Sequence, residues 1–86
     1  MKIKDCFVVR NIAGINTVIS SDATSTFDGM ITLNDTALFM WQLLKEGSTE
    51  EELINALMKE YEVTRDVVEN DVRNFIEKLR SIDVFI

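Results

Sequence analysis

The stretch GMITLNDTALFMWQLL, Gly29 to Leu44, decides how the rest of the chain is read. Met30, Ile31 and Leu33 around the β-branched Thr32 have extended character. Asn34 then offers a side-chain oxygen to a free amide of the next turn, and Asp35 sits well near the positive end of a helix dipole. A helix therefore starts directly after the strand. It is expected to run to about Lys45, with Ala37, Trp41 and Leu44 on one stripe, Phe39 and Leu43 beside it, and Gly47 as a left-handed terminator. The stretch is a boundary, with strand signals before it and helix signals after it.

Upstream, residues 3–12 (IKDCFVVRNI) are rich in β-branched and aromatic residues, and Ala13-Gly14 supplies a tight turn before INTVIS resumes extended character. That pattern predicts a β-hairpin. The following SDATSTFD reads as a loop or a loose extension, and Gly29 introduces the third strand, Met30 to Leu33. Downstream, Ser48 and Thr49 precede Glu51 and Glu52 at capping-box spacing, so a second helix starts there. Its stripe is Leu53, Ile54, Leu57, Met58 and Tyr61, with Glu50, Glu52, Lys59 and Glu60 toward water. Thr64 is expected to cap a third helix with a stripe of Val68, Val72, Phe75, Leu79 and Ile82. Ile76, about 80° round from Val68 at 100° per residue, widens its apolar face on one side. DVFI closes the chain as a candidate extended segment.

Strands followed by helices, rather than alternating with them, indicate an α+β domain. The expectation is one domain over residues 1–86, a three-stranded antiparallel sheet followed by three helices. The chain contains no proline, repeat or linker-like run.

Composition narrows the function. A hydrophobic content of 47% with 28% charged residues is that of a folding chain rather than a disordered one. Residues 1–34 hold three cations and three anions, whereas residues 35–86 hold six cations and twelve anions, so the helical half carries the net charge of −6. That balance disfavours nucleic acid, whose phosphates demand cations, and suits a basic or neutral partner. The start MKIKDCFVV has too short an apolar run for a signal peptide or a membrane span, so a cytoplasmic protein with no membrane partner is expected.

Catalytic chemistry is thin. The chain has no histidine and one cysteine, so Cys6 lacks an imidazole base and a zinc site lacks its usual ligands. Glu50, Glu51 and Glu52 are explained by the helix dipole and capping box, no glycine-rich phosphate loop is present, and Trp41 reads as a core anchor. No catalytic residue, metal or cofactor is expected. The remaining feature is a sheet edge: GMITLN carries none of the lysines or prolines that blunt edge strands, and an open edge beside an apolar helix flank can take up an extended peptide.

The order VVR, FDGMITLNDTALFMWQLL, STEEELINALMKEYEV and a long amphipathic helix ending LRSIDVFI resembles the coenzyme PQQ synthesis protein D (PqqD) family from about Phe7 to Ile86. The most specific part is Leu33-Asn34 with Thr36 and Trp41, then Thr49-Glu51-Glu52 and Tyr61; Ala37 departs from a common glycine. The resemblance implies a winged-helix-like, non-catalytic peptide-recognition domain. It implies that the leader segment of a ribosomally made precursor peptide adds to the third strand at Met30, Ile31 and Thr32. Val72, Phe75, Ile76 and Leu79 would line the groove with the third helix. It further implies a separate modifying enzyme, either a radical S-adenosylmethionine (SAM) protein or a lasso-type leader peptidase and cyclase. Two other readings compete: a small winged-helix DNA-binding regulator, and a structural subunit that self-associates through the same edge. The free chain is expected as a monomer or weak dimer.

Overall fold

The computed structural model describes residues 1–20 and 31–86. The elements run β1 (Phe7–Ile12), β2 (Ile15–Ser20), β3 (Ile31–Leu33), α1 (Asp35–Glu46), α2 (Glu50–Tyr61) and α3 (Arg65–Ser81). The sheet is antiparallel in the order β1-β2-β3, so the expected α+β architecture of three strands followed by three helices is the observed one. Met30, Gly29 and the SDATSTFD segment lie outside the described residues.

The hairpin forms because Ala13 and Gly14 both take positive φ, 52° and 83°, which gives a two-residue turn whose twist matches the strands. The Asn11 side-chain oxygen accepts from the Gly14 amide at 3.2 Å and holds that turn. The first arm is shorter than the expected 3–12. Residues 1–4 leave the hairpin, and Ile3 pairs instead with Phe85. The Lys4 amide donates to Val84 O at 2.8 Å and the Ile86 amide to Lys2 O at 2.9 Å, so residues 84–86 of DVFI run extended as expected, whereas Asp83, at φ 58°, belongs to the turn after α3.

Asn34 caps α1 by accepting from the Ala37 amide at 2.8 Å, and Gly47, at φ 105°, ends the helix by donating to Leu43 O and Leu44 O. Thr49 and Glu52 form the reciprocal capping box of α2, at 3.1 and 3.0 Å. Ser48 does not take part; its hydroxyl donates to Thr49 O. Thr64 occupies the N-cap position of α3, but its side chain makes no capping bond.

The core gathers the inner sheet face, Phe7, Val18 and Leu33, against Met40, Trp41 and Leu44 of α1, Leu53, Ile54 and Leu57 of α2, and Val68, Val72, Ile76 and Leu79 of α3. The α3 stripe is centred differently from the expectation: Ile76 is only 4% exposed, whereas Phe75 is partly exposed. No described helix is long and apolar enough to cross a membrane.

Candidate functional site

The register determines which backbone groups of the sheet are open. A two-residue hairpin closes on a hydrogen-bonded pair, here Ile12 and Ile15. Bonded and non-bonded pairs then alternate, so Thr17 and Ile19 direct their amides and carbonyls to β1, and Asn16 and Val18 direct theirs to β3. Their partners Leu33 and Ile31 therefore face inward to β2. Thr32, opposite Thr17, turns its amide and carbonyl away from the sheet, and its side chain is exposed. Among the described residues β3 is an outer strand and nothing pairs with it on that side, so this edge is open among them.

The opposite edge is different. The same alternation turns the backbone groups of Phe7 outward on β1, and both are occupied. Its amide donates to Lys4 O at 3.2 Å, and its carbonyl accepts from Lys45 Nζ at 2.8 Å, the same ammonium reaching Lys4 O at 3.3 Å. A lysine reaching across from α1 closes the start of the first edge, a known defence against unwanted strand pairing.

Beside the C-terminal end of β3 lies an apolar pocket of about 150 Å³, lined by Thr36 of α1, Leu57 and Tyr61 of α2, Val63, and Val67, Val68 and Asp71 of α3. Val67 is 54% exposed there. Tyr61 is held by an edge-on contact with Phe39, centroids 5.9 Å apart. Ion pairs identify the two flanks of α3. Arg65 meets Glu51 at 2.7 Å and Arg73 meets Glu50 at 3.9 Å, so that flank faces α2. At about 100° per residue Ile76 falls on the same side, while Val67, Asp71 and Phe75 fall on the other. The hydrogen bond from Arg65 holds the Glu51 carboxyl below its ordinary range.

The candidates from the sequence are thus divided. Ile31 is half-buried and Thr32 is exposed on the edge; Val72, Ile76 and Leu79 are core residues, and Phe75 is the one partly exposed member of the helix set. Met30 lies outside the described residues. The pocket residues Val63 and Val67 were not singled out in the sequence, although both are apolar positions off the main stripes, which is the signal that marks them. The Lys45 lock had no signal in sequence at all.

Among the described residues no group of three His, Cys, Asp or Glu could hold a metal ion. Cys6 is in no disulfide and packs partly buried against the core.

Comparison with known proteins places these features. The profile of the family described as Coenzyme PQQ synthesis protein D (PqqD) matches residues 15–84. Among solved structures, "TbiB1 in Complex with the TbiA(beta) Leader Peptide" is similar at 30% identity and TM-score 0.77, over 98% of this chain and 93% of that one. "Lasso peptide synthetase B1 complexed with the leader peptide" shares the fold at 22% identity and TM-score 0.71, over 93% of this chain and 89% of that one. No curated protein matches the sequence.

Proposed function

We propose, from the premise that this chain belongs to the coenzyme PQQ synthesis protein D family, that it is a non-catalytic adaptor that binds the leader segment of a ribosomally made precursor peptide. The leader adds as a strand to β3, pairing with the outward amide and carbonyl of Thr32. Ile31 and Thr32 form the described edge. Val67, Asp71 and Phe75 form the groove-facing flank of α3, with the Tyr61 and Val63 pocket as the anchor for the apolar part of a leader side chain. Val72, Ile76 and Leu79 support that flank from the core.

Backbone pairing supplies affinity that is insensitive to peptide sequence, and the pocket adds selectivity. Holding the leader raises the local concentration of the adjoining core peptide for a separate enzyme, of the radical SAM or the lasso-type peptidase and cyclase class. The free chain works as a monomer or weak dimer. The similar TbiB1 was solved in complex with a leader peptide, and the single observation of this chain that carries the reading is the outward amide and carbonyl of Thr32 on β3, set against a β1 edge whose start is occupied by Lys45. A DNA-binding role is disfavoured because Arg65 and Arg73 of α3 are engaged by Glu51 and Glu50.

Amide exchange tests the reading. With the TbiA(beta) leader peptide as probe, the Thr32 amide should gain protection while those of Ile31 and Leu33, already in the ladder, change little. Protection confined to β1 or to the outer surface of α2 would contradict strand addition at β3.

A further inference from the structure

We propose that the C-terminal end of the β3 edge selects a lysine or arginine in the bound peptide, read by Asp71 on one side and Asp35 on the other. This rests on the strand-addition reading and adds a charge selectivity to it.

Successive residues of an added strand turn to opposite faces. A side chain turning toward α3 meets the apolar pocket, whose polar lining is Thr36, the Tyr61 hydroxyl and the single carboxylate of Asp71. Its neighbour turns toward a second hollow at the hairpin tip, lined among others by Ile15, Asn16, Thr32 and Asp35. The side-chain amide oxygens there each already accept a hydrogen bond. The Asn34 oxygen takes the Ala37 amide at 2.8 Å, and Asn16 donates to Leu33 O at 3.4 Å and accepts from Asn11 at 3.3 Å. The charged groups of the two hollows are the carboxylates of Asp35 and Asp71, neither of which has an ion-pair partner among the described residues.

Three cations of the helical half are engaged elsewhere. Arg65 lies between Glu51 at 2.7 Å and Glu69 at 3.6 Å, Arg73 reaches Glu50 at 3.9 Å, and Lys45 is bound to carbonyl oxygens. Lys78, the next cation along the same flank, stands seven residues beyond Asp71, about 10 Å of helical rise, or roughly one Debye length. A basic side chain can lay its stem on Ile15 or Val67 and place its head at a carboxylate, whereas an acidic one at the same position meets like charge. The acid excess of residues 35–86 is thereby tied to a particular place, beyond solubility.

The test is a selection from an mRNA-displayed library of random 15-residue peptides, run on the wild-type chain and on the Asp35→Asn/Asp71→Asn variant, with circular dichroism confirming that both are folded. Each selected peptide is then measured against Thr32→Pro. Peptides that lose binding on Thr32→Pro should be enriched in Lys or Arg at one or two aligned positions. Changing such a residue to Gln should weaken binding about 2- to 5-fold on the wild type and have little effect on the double variant. Thr32→Pro-sensitive binders with no basic enrichment, or with the same enrichment on the double variant, would overturn the charge selectivity and leave strand addition standing. A selection yielding no Thr32→Pro-sensitive binder would overturn both.

Discussion

Proline substitution along β3 separates an edge that receives a peptide from an edge that merely ends a sheet. The register assigns the amides: Ile31 and Leu33 donate toward β2, and Thr32 donates outward. Thr32→Pro therefore deletes a donor the folded protein does not use, and proline is tolerated on an edge strand when its missing amide faced solvent. The fold should survive. In the complex the same change removes one peptide hydrogen bond and leaves a leader carbonyl unpaired, a loss of about 1–2 kcal/mol, or about 5- to 30-fold in Kd at 1.4 kcal/mol per tenfold. Thr32→Ala keeps the amide and should bind within about 2-fold of wild type, since an exposed hydroxyl contributes little. Leu33→Pro and Ile31→Pro instead break the β2–β3 ladder and leave a β2 carbonyl unpaired, at about 1–3 kcal/mol of folding stability each; Leu33→Pro also removes a buried side chain. Calorimetry with a leader peptide, paired with urea denaturation, reads both quantities. A Thr32→Pro variant that is folded and binds leader as tightly as wild type would refute strand addition at this edge.

Ile76→Ala should cost about 2–5 kcal/mol of stability as a core truncation, whereas Phe75→Ala should cost less stability and weaken leader binding; urea midpoints and titrations on both variants give the comparison, and an Ile76→Ala chain as stable as wild type would reverse the assignment of the two flanks. Thr49→Ala should lose about 1 kcal/mol with its capping box, while Thr64→Ala, whose hydroxyl makes no capping bond, should stay within about 0.5 kcal/mol of wild type. The Glu51 carboxyl, held low by Arg65, contributes stability that is present above its ordinary range and lost as pH falls through its lowered value. Because the pair is exposed, the effect is small, and it should vanish from the acid limb of the urea midpoint in Glu51→Gln.

The sequence was most legible where one signal decided each element. Positive-φ residues at 13–14, the Asn34 and Thr49 caps, and Gly47 each mark an end, and each is found in that role. Reading strands first and helices after was enough for the architecture. The candidate site was less legible because its two flanks differ by tertiary placement. Phe75 and Ile76 are both apolar and adjacent, and periodicity alone cannot rank them. Only the position of α2, visible in the Arg65–Glu51 and Arg73–Glu50 pairs, places Ile76 on the packed side and Phe75 on the open one. The parity of β3 was illegible for a related reason: alternation is certain, but its phase comes from the hairpin turn two strands away.

A three-stranded sheet has two edges, and a domain that accepts an extended segment through one of them risks accepting it, or a copy of itself, through the other. The two edges here are treated unequally by a residue that belongs to neither. Lys45 stands in the last turn of α1, where a cation already suits the helix dipole, and its ammonium spans the carbonyls of Lys4 and Phe7. The same contact fixes the turn by which residues 1–4 leave the hairpin, so that Ile3 reaches Phe85. Closing the start of the first edge and pairing residues 2–4 with residues 84–86 are thus one structural event. Among the described residues β3 offers one outward amide and carbonyl, at Thr32, so on the proposed reading a bound segment draws its selectivity from the pocket beside it. On that reading specificity comes from side chains: backbone pairing admits any extended segment, and the fit to what α3 and Tyr61 present ranks them.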